Sequence, residues 1–294
     1  MQSSLPSQEE GKSGKYSDAT GRRNIIIAVA IALVICLVYW PSLRWLVSSW
    51  ISSDYYSHGF LVPIVSAAII WTKREQLKIG KPSLSGIFWI VPAAVLYAVN
   101  AFLEIRVLGP LSLLVLIVGL IWLLRGSRTV QTLVFPLVFL LFLLPLPFMP
   151  DLAYRLQEIS VFSSSRLLET FGLPITSAGS EIYFRTDVFS VGIPCSGINS
   201  LVALLALAAL YAFILQGPLF RRISICVLAF PVAVIANILR IVSIIIVANS
   251  FNVQTAVGWY HDISNPIFFA IAFMAIVLIG WLMKCKINYG LLRK

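Results

Sequence analysis

The sequence VGIPCSGINS, residues 191–200, leads directly into an apolar run at residues 201–215. Cys195 therefore stands among proline, serine and glycine at the predicted start of a hydrophobic helix. Exposed backbone N–H groups at a helix N-terminus favour the thiolate form of a cysteine, which is the nucleophile. Ser196 or Asn199 can cap or line this opening, and Gly197 allows a substrate to approach closely. A free cysteine is also often a small packing residue, so Cys195 needs partners before it indicates chemistry.

The composition of the chain is typical of a membrane protein. It has 294 residues, of which 59% are hydrophobic and 12% charged, and its mean hydropathy is +0.93. Repeated apolar runs of nearly twenty residues predict helices that cross a bilayer. The runs lie at residues 24–40, 59–72, 86–103, 107–124, 130–148, 196–215, 223–248 and 263–283. The predicted fold is therefore an all-α polytopic membrane protein with about eight transmembrane helices.

The remaining segments predict how the chain is divided. Residues 1–23 are polar and predict a disordered cytoplasmic tail, residues 24–283 a single transmembrane domain, and residues 284–294 a basic cytoplasmic tail. After the fifth run, apolar residues recur at helical spacing among charges over residues 151–171, which predicts an amphipathic helix on the membrane surface. Two short alternating pieces within residues 175–191 predict a small β-hairpin before Cys195. Residues 149–194 are thus expected to cap the outer face.

The distribution of basic residues predicts the orientation. The two termini can be placed on one side together with the loops after the second, fourth and sixth runs. That side then holds 16 of the 22 Lys and Arg residues, including every lysine. An excess of Lys and Arg in short loops marks the cytoplasmic side, so both termini are predicted to be cytoplasmic. The net charge of +10 then follows from topology, and no nucleic-acid partner is expected.

The residues that bind metals most often are few and scattered. The four cysteines, Cys36, Cys195, Cys226 and Cys285, show no CxxC spacing, and the chain has two histidines. Zinc and other transition-metal sites need several such ligands in one place. Neither a metal nor another cofactor is therefore expected.

Three residues that can do chemistry converge at the outer membrane level in this topology. Cys195 opens the sixth span on that side, and His261 lies in the last outer loop. Arg240 lies 18 residues after Arg222 at the inner surface, which is about 27 Å along a helix. An arginine near a helix end can merely extend its charge to the interface, but an ionisable residue within a span suggests a functional site.

Nearby polar residues are candidates for supporting roles. Asn237 is three residues before the arginine on the same helix face, and Asp262 follows His261 directly. As a general base, His261 would take the thiol proton and later protonate a leaving amine. His58, with Asp54, is the competing base in another outer loop.

Three segments of the chain resemble signature segments of the exosortase/archaeosortase family. They are PCSGINS at residues 194–200, NILR at 237–240 and GWYH at 258–261. The likeness extends to the eight-span layout and to the segment DYYSHGFLVP at residues 54–63, so it covers most of the chain.

The resemblance implies a membrane cysteine transpeptidase that processes C-terminal sorting signals of exported proteins. Such signals comprise a short motif such as Pro-Glu-Pro, a transmembrane helix and a basic tail. By this likeness Cys195 attacks the peptide near the motif, Arg240 stabilises the oxyanion or the substrate carbonyl, and His261 transfers protons. An acceptor at the outer surface then resolves the thioester. The expected location is the inner membrane, among its lipids, with the active site on the periplasmic or extracellular side.

Two alternatives remain open at this point. The same residues suit a membrane protease that hydrolyses the thioester with water. The chain could also be a transporter or an exopolysaccharide assembly factor in which Cys195 is structural. Against that reading, Arg240 has no clear carboxylate relay in the sequence, and no inverted repeat is evident.

Overall fold

A computed structural model describes Ile26 and residues 29–77, 80–184, 187–192 and 196–288. The predicted tail at residues 1–23 lies outside this part of the chain. The chain divides into two units, residues 1–45 and residues 46–294. All contacts described below lie within the second unit.

Helices dominate the described residues, because an apolar chain in a bilayer must satisfy its backbone hydrogen bonds within the segment. The α-helices are α1 (Val29–Val38), α2 (Trp40–Ser52), α3 (Leu61–Thr72), α4 (Ile87–Leu103), α5 (Leu108–Arg125), α6 (Ser127–Phe139), α7 (Met149–Thr170), α8 (Ile198–Ile214), α9 (Leu219–Ser250), α10 (Val253–Thr255) and α11 (His261–Leu282). Short 3-10 helices occupy Asp54–Phe60, Arg74–Gln76, Leu84–Gly86 and Leu140–Leu143, and a π-helical turn occupies Ala256–Tyr260.

Four helices of the described chain are long and apolar enough to cross a membrane. They are Leu84–Leu103, Leu108–Arg125, Leu219–Ser250 and Val253–Leu282. A fifth span arises if α1 and α2, which meet at a bend of 67°, are counted together. Three shorter apolar helices lie at His58–Thr72, Ser127–Leu143 and Ile198–Ile214. Each of the eight predicted runs coincides with one of these helices, but the count of eight stays a prediction because the last three are short for a span.

The loops that were predicted to share the inner side contact one another. The Gly80 N–H donates to the Arg125 carbonyl at 2.8 Å, and the Lys73 ammonium donates to the Thr132 carbonyl at 3.2 Å. Burial, together with the charge of Arg222, lowers the pKa of Lys73, so these two cations lie near each other. The contacts group the predicted inner loops at one end of the helices, and the side of the membrane that this end faces stays a prediction.

A two-stranded sheet ties the C-terminal segment to the same end. Strand β4 (Leu215–Gln216) pairs antiparallel with β5 (Lys286–Ile287). Arg221 adds a hydrogen bond from Nη1 to the Met283 carbonyl at 3.0 Å. This pairing was not predicted, because two residues are too few to show strand periodicity. Residues 289–294 of the predicted basic tail lie outside the described residues.

A small antiparallel sheet lies between α7 and α9. Its strands, in spatial order, are β1 (Ile175–Ala178), β2 (Glu181–Phe184) and β3 (Asp187–Ser190). One face of the sheet packs on α7 and α9 through an apolar cluster. The cluster comprises Val161, Leu168, Ile175, Ile182, Phe184, Phe189, Val191, Ile241, Val242, Ile245, Ala248 and Ala256.

The predicted hairpin is thus part of a three-stranded sheet. Its two alternating pieces became β2 and β3, whose register pairs Ile182 with Phe189. The strand β1 was missed because only its first residue, Ile175, is buried, so it carries no alternating pattern.

The predicted amphipathic helix is present as α7, but its buried face differs from the apolar stripe. Ile159 and Phe162 are exposed, whereas Gln157, Ser160 and Ser164 are buried. Small residues let helices in a membrane protein approach closely, and hydroxyl groups then bond across the contact. The Ser164 hydroxyl, for example, donates to the carbonyl of Ile238 on α9 at 3.2 Å. Whether α7 lies on a membrane surface stays a prediction.

Candidate active site

Arg240 is the buried centre of the candidate site. It lies on the long helix α9, and only 5% of its surface is exposed. Its Nε donates to the Ser264 hydroxyl at 3.2 Å, and its Nη2 lies 3.2 Å from Nε2 of His261. The planar guanidinium thus directs two donors at two different residues of α11.

His261 begins α11, immediately after the π-helical turn. Gly258 within that turn leaves helical geometry, with φ −86° and ψ −109°, and so breaks the helix just before His261. The side chain of His261 is 33% exposed and therefore remains accessible beside the buried arginine.

The hydrogen bonds determine the tautomer of His261. A guanidinium has only donors, so Nε2 must accept and the ring proton lies on Nδ1. Nδ1 in turn faces Oδ1 of Asp262 at 3.4 Å. Asp262 is 85% exposed, so this contact is a solvated orienting bond rather than a buried ion pair.

Ser264 joins the arginine and the histidine segment. It is fully buried, accepts from Arg240 Nε and donates to the backbone carbonyl of His261 at 2.9 Å. This residue was not among the sequence candidates. The sequence feature that indicates Ser264 is its position three residues after His261. Residues at this spacing lie on the same face at the start of a helix.

The turn that follows Cys195 in the chain packs against α9 one turn before Arg240. Gly197 has φ +80°, and a Cβ atom at this position would lie 2.6 Å from Cγ of Asn237. The buried Asn237 amide donates to the Ser160 hydroxyl of α7 at 3.1 Å, which anchors it. Only glycine permits this close approach together with a left-handed backbone.

The start of α8 carries the other predicted supporting residues. Ser196 is buried, and its hydroxyl accepts from the Ile198 N–H at 3.4 Å, a local turn bond rather than a cap of the helix. Asn199 is half-buried, and its Oδ1 has no hydrogen-bond partner among the described residues. Ser200 faces Asn265 of α11, with Oγ 3.4 Å from Oδ1. Cys195 itself lies outside the described residues.

The matched family covers this whole arrangement. Residues 50–278 match the family model described as transmembrane exosortase. The chain belongs to the transmembrane exosortase family. No curated protein and no solved structure matches it.

The competing histidine of this exosortase-family chain lies in a different setting. His58 belongs to the 3-10 helix Asp54–Phe60, and its Nε2 lies 3.3 Å from the Phe142 carbonyl. Tyr56 in the same helix donates to the Leu146 carbonyl at 3.1 Å. Both side chains thus hold this segment onto residues 142–146, which follow α6, and this is a structural use. The side chain of Asp54 is outside what the structure describes.

Cys226 and Cys285 are not placed beside the Arg240–His261 pair. Cys226 lies on α9, 14 residues before Arg240, or about 21 Å along the helix. Cys285 lies at the opposite end with β5, and Cys36 belongs to the first unit. Within the described residues, no group of three or more His, Cys, Asp and Glu side chains could hold a metal ion.

Two cavities meet at Arg240. The smaller, of about 20 Å³, lies among α8, α9 and α11, and its lining includes the polar residues Ser200, Asn237 and Asn265 beside alanine, leucine and phenylalanine side chains. The larger, of about 110 Å³, lies between the sheet and α9 and is lined by both Arg240 and His261. A substrate group beside Arg240 can therefore contact hydrogen-bond donors and apolar side chains at the same time.

Proposed function

We propose that this exosortase-family protein is a membrane cysteine transpeptidase that processes C-terminal sorting signals of exported proteins. The observation that carries the proposal is the paired Arg240 and His261, oriented by Ser264 in a largely buried site. A guanidinium and an accessible imidazole 3.2 Å apart supply an oxyanion donor and a proton-transfer group to the same reacting centre.

Cys195 is the nucleophile in this proposal. Its chain neighbours support the assignment, because Ser196 is buried and Gly197 packs on Asn237, one helical turn from Arg240. Cys226 and Cys285 have no comparable neighbourhood.

The proposed first half-reaction forms a thioester. His261 takes the thiol proton on Nε2, and the sulfur attacks the carbonyl carbon of the scissile peptide bond. Arg240 turns Nη2 from the imidazole to the developing oxyanion, which leaves Nε2 open for the proton. The C–N bond then breaks as His261 protonates the leaving amine. The leaving fragment carries the transmembrane helix and the basic tail of the substrate.

In the second half-reaction an acceptor replaces the leaving group. A nucleophile at the outer surface gives its proton to His261 and attacks the thioester carbonyl. The C–S bond then breaks, and His261 passes the proton to the sulfur to restore the thiol. The proposed substrates are therefore membrane-anchored proteins with a motif, a helix and a basic tail. The proposed location is the inner membrane, with the site at its outer level.

A co-expressed substrate tests the proposal. An exported reporter that ends in such a signal is produced with the wild-type protein or with a variant, and its C-terminus is identified by mass spectrometry. Wild type should release the helix and tail, Cys195→Ala should abolish release, and Cys226→Ala should leave release unchanged. The mass of the product separates transfer from hydrolysis, since an acceptor adds mass and water alone leaves a free carboxylate.

Release of the signal by Cys195→Ala at the wild-type rate would contradict the cysteine mechanism. The transporter or assembly-factor interpretation would then take its place.

A further inference from the structure

The larger cavity at Arg240 is lined mostly by apolar side chains and by a few polar ones. Most of its lining is apolar and comes from the sheet, α9 and the π-helical turn: Ile182, Phe189, Val191, Ile244, Ile245 and Val257. Arg240 and His261 belong to the same lining. Val257 is 53% exposed, so the cavity opens to the surface beside the turn that precedes His261.

The size of the cavity suits one side chain. It measures about 110 Å³. A single water needs only about 10–15 Å³ of such space, so the cavity has room for a side chain of several carbon atoms. Valine, leucine and proline have three or four carbons beyond Cα. An amide or ammonium group in the same place would lose its hydration against an apolar wall. A carboxylate would pair with the Arg240 guanidinium and so occupy the donor that the proposed oxyanion needs.

Because Arg240 and His261 line the cavity, it lies next to the place where the proposed reaction puts the carbonyl. A side chain is attached to the Cα atom, which is bonded directly to the carbonyl carbon. If Arg240 and His261 act on that carbonyl, the side chain of the same residue is carried to the neighbouring apolar wall. Val191, which lines this wall, is four residues before Cys195 in the chain.

We propose that this cavity is the subsite for the residue whose carbonyl Cys195 attacks, and that it selects an aliphatic side chain of valine, proline or leucine size. The proposal rests on the proposed transpeptidase function and names the substrate class of that site. Specificity comes from Ile182, Phe189, Ile244 and Val257, none of which takes part in the chemistry.

Peptidyl chloromethyl ketones test the subsite without a known substrate. In acetyl-Ala-X-chloromethyl ketone, the ketone takes the place of the attacked carbonyl and X carries the selected side chain. The Cys195 sulfur displaces chloride, so a C–S bond forms, the C–Cl bond breaks and the thiol proton leaves through the base. The rate of modification of Cys195 is measured by mass spectrometry on the full-length protein in detergent, with X as glycine, valine, leucine, glutamate or lysine.

The wild-type protein should react with the leucine and valine reagents at least about tenfold faster than with the glycine reagent, as expected for methylene groups in an apolar pocket. The glutamate and lysine reagents should react no faster than the glycine reagent. Equal rates for leucine and glycine would overturn the subsite.

Two variants fill the cavity from different elements, so that one failure to fold does not end the test. Ile244→Trp on α9 and Val257→Trp on the π-helical turn should each reduce the leucine rate to within about twofold of the glycine rate. Ile246→Trp is the matched control, because Ile246 is an exposed residue of the same helix outside the cavity. A leucine preference that survives in both filled variants would overturn the subsite.

The same series separates this proposal from the proposed function. If Cys195 reacts rapidly and the rate falls in Arg240→Ala, but X makes no difference, the subsite is wrong and the catalytic assignment stands. If Cys195 reacts no faster than Cys226 and the rate does not depend on Arg240, both proposals fail.

Discussion

At the scale of single residues, the geometry of the Arg240 guanidinium determines the candidate site. Its two described bonds leave in different directions, from Nε to Ser264 and from Nη2 to His261. Ser264 fixes one edge of the plane, so the other edge stays directed toward the imidazole. A positive charge alone does not reproduce this arrangement, which has consequences for two substitutions.

Arg240→Lys should lower processing of a sorting-signal reporter by about 10²–10³-fold, the usual cost of losing an oxyanion donor. Lysine keeps the charge but is a point donor, so it cannot bond Ser264 and still direct a fixed donor at the reacting centre. Release of the signal peptide over time measures the effect. Arg166→Lys, in an exposed ion pair with Glu169 on α7, is the matched control and should process normally. Normal processing by Arg240→Lys would show that charge alone suffices.

Ser264→Ala should lower both the stability and the activity of the protein. It leaves the buried Nε of Arg240 without this acceptor, at a cost of about 1–3 kcal/mol in the free energy of unfolding. Processing should fall about tenfold because the guanidinium loses its orientation. Thermal unfolding in detergent and reporter release measure the two effects. Ser243→Ala is the control, since the Ser243 hydroxyl donates to a helix carbonyl, that of Arg240, at 2.6 Å and not to the guanidinium. Equal effects in both variants would contradict the orienting role of Ser264.

At the scale of elements, the site is assembled where three helices meet. α9 supplies Arg240, the broken start of α11 supplies His261, and the turn into α8 packs on Asn237. α7 supports the same place through Ser160 and Ser164. The close approach of the α8 turn to α9 depends on the missing side chain at Gly197.

Gly197→Ala should therefore disrupt the site, whereas Gly179→Ala should not. Both glycines have positive φ, +80° and +58°, so both variants bear a backbone cost of about 1–2 kcal/mol. At position 197 the new Cβ would lie 2.6 Å from Asn237. At position 179 the new Cβ would have nothing within 4 Å. Reporter processing and the rate of Cys195 alkylation should fall in Gly197→Ala alone. A similar loss in both variants would assign the effect to backbone strain.

At the scale of the whole molecule, the contacts sort the connecting segments into two groups. The predicted inner loops meet through Gly80, Lys73 and the β4–β5 pair. Two predicted outer loops contact helices elsewhere: Trp50 donates to the Leu143 carbonyl at 2.9 Å, and His261 contacts Arg240 of α9. Any set of helices that crosses a bilayer has its connecting segments at two ends, so the number of crossings and the side that each end faces stay predictions.

Single cysteines introduced at Lys81 and Asn252, with Cys36, Cys226 and Cys285 replaced by alanine, test the orientation. Asn252 should react with an impermeant maleimide in intact cells. Lys81 should react only after the membrane is permeabilised. The protein without either introduced cysteine measures the background from Cys195. Labelling of both positions from the same side would contradict the predicted topology.

The amino-acid sequence by itself determined the helical membrane character, the positions of the apolar helices, the strands β2 and β3, and the residues Arg240 and His261 as candidates. These features are periodic, compositional or chemically rare, so they can be seen without distances. The tertiary structure decided what depends on separate segments meeting: the bonds of Arg240 to His261 and Ser264, the packing of Gly197 on Asn237, and the β4–β5 pair. It also placed His58 against a backbone carbonyl and opened an apolar cavity beside the arginine. Contacts between residues distant in the chain arise from packing, which no local pattern records.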